Sequence, residues 1–144
     1  MSEQREILFR GKRKDNDEWV YGNYNAQTQD IVVLTLEAEE DTPDGYIYDY
    51  FRIDPSTVGQ YTGLKDKNGR RIFEGDFISC DDIRGGYDPS ILPFLIRWDM
   101  GFTARPINYH NCSWPNLDEK TMSHFEVIGN IHDTPELLEA KHGN

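Results

Sequence analysis

Short apolar runs separated by polar, turn-forming stretches recur along this chain, and within a strand successive side chains point to opposite faces. Ile7, Leu8, Phe9 and Arg10 read as a short first strand. A polar turn over residues 12–18 follows, and residues 19–24 return as a strand. There Trp19, Tyr21 and Asn23 share one face, while Val20, Gly22 and Tyr24 share the other. Residues 31–36 form a β-branched run of the kind expected for a strand buried on both faces. In residues 46–53, Tyr46, Tyr48 and Tyr50 line one face; Ile47, Phe51 and Ile53 line the other, with Asp49 between them. The tyrosine face fits either core or a subunit interface, where aromatics are enriched.

Turn chemistry punctuates these strands. Asp54-Pro55-Ser56-Thr57 predicts a turn, or a single helical turn begun at Pro55. Within residues 60–78, Asn68-Gly69 predicts a type I′ hairpin turn, whose two central residues both need positive φ. Glu74-Gly75-Asp76 then breaks the pattern before Phe77 and Ile78 resume it. Gly75 suits a positive-φ bend, and Asp76 can accept from nearby backbone N–H groups. Residues 81–89 read as a loop, and residues 91–98 as a strand interrupted at Pro93, which suggests an edge position or a bulge. Residues 100–124 carry no regular pattern. The last strand is predicted near residues 125–131. A short helix follows, with Asp133 and Glu136 spaced as a capping box and Pro135 at a tolerated position. Many short strands and one helix make a mainly β, barrel-like fold of short strands the expected class.

Composition narrows the function classes. The 144 residues hold seven Phe, eight Tyr and three Trp, enough large aromatics to fill a core although only 37% of positions are apolar. No apolar run reaches the ~20 residues that span a bilayer, so no membrane partner is expected. Residues 1–6 show no secretory pattern, and the two cysteines make no disulfide framework, which together predict a cytoplasmic protein with reduced thiols. The formal net charge is −11. Phosphate-backbone recognition needs a basic stripe. The nearest run, Arg10 to Lys14, is followed at once by Asp15, Asp17 and Glu18. Direct nucleic-acid binding is therefore not expected; an acidic chain is suited instead to basic partners.

Three blocks carry a family resemblance. The first joins residues 6–12 to Trp19-Val20-Tyr21-Gly22; the second joins residues 57–69 to Ile72-Phe73-Glu74-Gly75-Asp76; the third joins residues 127–132 to Pro135-Glu136-Leu137-Leu138. They resemble the YopX family of small prophage-encoded proteins, and they leave residues 79–125 largely unmatched. The resemblance implies a mainly β protein with an SH3-like C-terminal barrel, and self-association into a homo-oligomer. It places an N-terminal β subdomain at residues 1–58 and the SH3-like part with its terminal helix at residues 59–144. It carries no established activity, so it assigns no catalytic residue.

Candidate chemistry competes with plain structural roles. His110 and Cys112, with Cys80-Asp81-Asp82, contain zinc-type ligands, yet no Cys-x-x-Cys pair is present and the two segments are far apart, which favours unrelated loop positions. Cys112 with His110 or His124 makes a nucleophile–base pair only if the fold unites them. His132, before the helix, reads as a cap or surface residue. Glu74 and Asp76 could serve as a carboxylate pair, but the turn chemistry of Asn68, Gly69, Glu74, Gly75 and Asp76 favours a structural motif. Glu37, Glu39, Glu40, Asp41 and Asp44 form an acidic loop that could dock on a basic host or phage protein. No catalytic, metal or cofactor residue is assigned, and no cofactor is expected. The reading is a non-enzymatic, oligomeric β-barrel interaction protein of phage origin. The alternative is an acidic antagonist of a host nucleic-acid-handling protein, and an enzyme of unknown type ranks third.

Overall fold

The computed structural model describes residues 6–35, 47–80, 93–98, 101–106 and 117–139. The chain is mainly β and divides into two compact units, residues 1–61 and 62–144. Unit 1 contains β1 (Phe9–Lys12), β2 (Trp19–Asn25), β3 (Asp30–Thr35) and β4 (Ile47–Arg52), then a 3-10 turn (Pro55–Thr57) and the start of β5 (Gly59–Lys65). Unit 2 takes the rest of β5, then β6 (Arg71–Phe73), β7 (Asp76–Ser79), β8 (Phe94–Trp98), β9 (Phe102–Pro106), α1 (Glu119–Met122), β10 (Glu126–Asn130) and α2 (Glu136–Glu139).

In unit 1 the strands lie in the order β4-β3-β2-β1-β5. The neighbours pair antiparallel, with Phe9 opposite both Gly22 and Gln60, and Ile31 opposite Phe51. Alternation holds along β2: Tyr21 and Asn23 are exposed while Val20, Gly22 and Tyr24 are half-buried. Gly22 is a glycine because β3 leaves no room. A Cβ there would stand 2.4 Å from the Val32 carbonyl oxygen, backbone that cannot swing aside. Ile31 and Ile53 are fully buried. Val32 and Val33 are only half-buried, so β3 is not the doubly buried strand its β-branched run suggests. Tyr48 and Tyr50 are exposed at 42% and 67%, which removes them from the core of this unit; Tyr46 lies outside the described residues. The Asp54 side chain accepts from Ser56 N at 3.0 Å and opens the Pro55 turn, whose Thr57 hydroxyl accepts from Lys12 N at 2.8 Å.

In unit 2 the end of β5 pairs with β6, and the other strands form a four-stranded sheet in the order β10-β7-β8-β9. The barrel expected here is not closed. Among the described residues, β10 and β9 stand at opposite edges of this sheet. β9 ends at Pro106, which has no N–H to extend a ladder, and β10 carries a register shift between Val127 and Gly129. Pro93 precedes β8 instead of interrupting it, and β8 is an inner strand, not an edge. The core gathers Ile72, Ile78, Phe94, Ile96, Met122 and Phe125, with Phe94 and Phe125 meeting edge-on at 5.8 Å between centroids. The stretch that lacked a legible pattern supplies β9 and α1. Asp118 caps α1, its carboxylate accepting from Thr121 N at 2.7 Å. That hydrogen bond holds the Asp118 carboxyl below its ordinary value.

Candidate functional site

The segment richest in sequence signals, residues 60–78, folds into a hairpin turn and a bend, both in unit 2. The turn is wider than a type I′ pair. Asp66 N donates to Arg70 O at 2.8 Å and Gly69 N donates to Asp66 O at 3.0 Å, enclosing Lys67, Asn68 and Gly69. Gly69 has φ +79°, whereas Asp17 and Gln29 are the non-glycine residues with positive φ among the described residues. A three-residue loop with a left-handed glycine at its end is the next most common hairpin geometry. The cause is Asp66. Its Oδ1 accepts from both Asn68 N and Arg70 N at 2.9 Å, which stabilises the wider loop.

The other oxygen of Asp66 reaches much further. Oδ2 accepts from Val127 N in β10 at 2.9 Å, across 61 positions of sequence. Beside it Lys67 N donates to Phe125 O at 2.8 Å, and the Lys67 ammonium lies 3.3 Å from Glu126. Asp66 is thus a buried carboxylate, 5% exposed, that fastens a turn to a strand. Sequence reasoning passed over it. The available signal was its place two positions before Asn68, where an Asp side chain can bond the backbone two residues on.

The bend at residues 74–76 secures the other end of β10. Gly75 has φ +94°, a region that penalises residues with a Cβ. Its N–H donates to Ile96 O at 2.8 Å and its carbonyl accepts from Ile131 N at 2.9 Å. Asp76 is 1% exposed, and its Oδ2 accepts from Phe73 N at 2.7 Å. Asn130, opposite Asp76 in the ladder, forms a second knot that the sequence did not announce. Its Oδ1 accepts from His132 N and Asp133 N, both at 2.9 Å, and its Nδ2 donates to Asp133 Oδ2 at 3.1 Å. Thr134 Oγ1 accepts from Asn130 N at 3.0 Å.

Chemically, these are carboxylates and amides that replace water as partners for main-chain N–H groups. A buried carboxylate so engaged is an anchor for backbone, since each such bond exceeds a neutral one in strength. Two other sequence candidates lie among the described residues. Cys80 is buried in the core and His124 is exposed, while His110, Cys112, Asp81 and Asp82 lie outside the described residues. Among the described residues, no group of three or more His, Cys, Asp or Glu side chains is arranged to hold a metal ion, and no helix is long and apolar enough to cross a membrane. Glu37, Glu39, Glu40, Asp41 and Asp44 also lie outside the described residues.

Fold and site together define a mainly β protein of two antiparallel sheets, with turns held by buried carboxylates. The family model described as YopX protein matches residues 8–139, and the chain belongs to that family. A solved structure titled "Crystal structure of protein EF1440 from Enterococcus faecalis" shares the fold, with a TM-score of 0.58 and 23% identity. The likeness covers 94% of this chain and 99% of that one. No curated protein matches the chain.

Proposed function

We propose that this chain is a non-enzymatic, self-associating β interaction protein of prophage origin that works in the host cytoplasm. The SH3-like kinship of residues 59–144 belongs to the same proposal and rests on the family resemblance. The observation that carries the proposal is Trp98. It ends β8 with 58% of its surface exposed, and its ring meets Phe102 of β9 edge-on at 4.9 Å between centroids. Exposed tryptophans held by a neighbouring ring are the residue type that anchors interfaces. Buried Asp66 supports the non-enzymatic part, because both of its oxygens accept from backbone N–H groups, and one oxygen of Asp76 does the same. Light scattering on wild type and Trp98→Ser tests the reading. A wild-type mass above one chain that falls in the variant is expected, and a sharp wild-type mass of one chain overturns self-association.

The net charge of −11 favours a second reading, an acidic antagonist of a host nucleic-acid-handling protein. Neutralising Glu37, Glu39, Glu40, Asp41 and Asp44 tests it by pulldown from bacterial lysate. Identical captures by both forms would sink this reading.

A further inference from the structure

Unit 1 takes apart the basic run at residues 10–14. Arg10 is buried, its guanidinium 4.7 Å from the centre of the Trp19 ring, and the Lys12 ammonium lies 5.5 Å from the same ring. Arg13 lies over Phe51 at 4.9 Å and grips Asp15 with Nε and Nη2, at 2.9 and 2.6 Å. That fork keeps the Asp15 carboxyl below its ordinary value. Lys14 stays exposed, and its N–H donates to Arg52 O at 3.0 Å, which fastens this turn beside β4. β4 then contributes Arg52 and the exposed ring of Tyr50.

Arg13, Lys14, Asp15, Tyr50, Phe51 and Arg52 together line a cavity of about 200 Å³. Three cations and one carboxylate line it, with the Asp30 carboxylate near Arg52, on a chain whose net charge is −11. The carboxylate of Asp30 stands 3.7 Å from Arg52, beyond hydrogen-bond length, so Arg52 keeps donors for a ligand. Lys14 has no ion-pair partner among the described residues. Arg13, stacked on Phe51 and forked to Asp15, is held in one orientation in the cavity lining.

We propose that this concavity binds a nucleoside monophosphate. Lys14 and Arg52 hold the phosphoryl group, Arg13 adds positive potential, and the base lies against Tyr50. Size and charge both select this class. The cavity is smaller than the roughly 300–1,000 Å³ of sites for drug-sized ligands, so it takes a phosphoryl group and one face of a ring. A long polyanion would need many phosphate contacts and would meet the repulsion of the whole acidic chain. A single phosphate pairs locally, within a Debye length of about 8 Å.

NMR titration of the full chain with AMP, adenosine, inorganic phosphate and single-stranded oligonucleotides of increasing length tests this. AMP should shift Arg13, Lys14, Tyr50 and Arg52 saturably, phosphate should bind the same residues about tenfold more weakly, and adenosine should not bind. Lys14→Glu with Arg52→Glu should weaken AMP at least about tenfold, while Lys65→Glu, an exposed control in unit 2, should change nothing. Tyr50→Ala should reduce AMP to the affinity of inorganic phosphate. Wild-type mapping needs no variant, so misfolding of any variant leaves the test intact. Shifts confined to other residues, AMP binding unchanged by the charge reversals, or affinity that climbs with oligonucleotide length would each overturn the proposal. All three results are independent of the oligomeric state.

Discussion

At the scale of single residues, the decisive side chain is Asp66. Three backbone N–H groups converge on its two oxygens, and burial denies them water as a substitute. Asp66→Ala should therefore lower unfolding free energy by about 3 kcal/mol, and Asp66→Asn, which keeps one acceptor, by about 1–2 kcal/mol. Chemical denaturation measures both, and an unchanged midpoint for the alanine variant would remove Asp66 from this role. Gly69 and Gly75 were legible from sequence, because only a residue without Cβ enters the left-handed region at little cost. The importance of Asp66 was not, because its partner Val127 is 61 positions away. The Asn-Gly pair misled for a related reason: the Asp before it supplies acceptors that favour the wider loop.

At the scale of elements, α1 shows how a four-residue helix survives in a stretch with no periodic pattern. It stands on Asp118 at one end and the buried Met122 at the other. The Asp118 carboxyl is depressed chiefly by the Thr121 backbone N–H, and then by the Thr121 side chain. A carboxyl whose folded value is lowered contributes stability above its unfolded value, about 3.9, and loses it as pH falls through the folded value. The Thr121 amide resonance should thus move as pH drops below about 4, with loss of exchange protection across α1. Asp118→Ala should abolish that pH response. A Thr121 signal indifferent to pH in the wild type would contradict the cap. The strands were easier to read than α1, since a period-two pattern such as that of β2 survives whatever lies on either side. Their standing in the sheet was harder. Pro93 looked like a break in an edge strand, yet it only precedes β8, whose neighbours β7 and β9 come from either side of it in sequence.

At the scale of the whole molecule, charge sets two opposite salt responses. Copies that each carry −11 repel one another, and salt screens that repulsion. Self-association should strengthen as ionic strength rises from low to physiological values, by sedimentation velocity. Nucleotide affinity at the Lys14–Arg52 cavity should weaken over the same range, because attraction is screened there instead. Assembly that dissolves with added salt would point to interfaces built on ion pairs in place of the exposed Trp98.

The amino-acid sequence by itself determined the strand-rich class, the places where the chain turns, the acidity and the family. These are local properties: side-chain alternation, φ preference and summed charge need no knowledge of distant neighbours. Tertiary structure decided the rest. It left the four-stranded sheet open instead of closing it as a barrel, withdrew Asp66 and Asp76 to serve backbone N–H groups, and exposed Tyr48, Tyr50 and Trp98. It also divided one basic run between Trp19, Phe51 and a cavity shared with β4. Each outcome depends on residues far apart in sequence meeting across a sheet or a turn, and a pattern of period two does not specify which strands become neighbours.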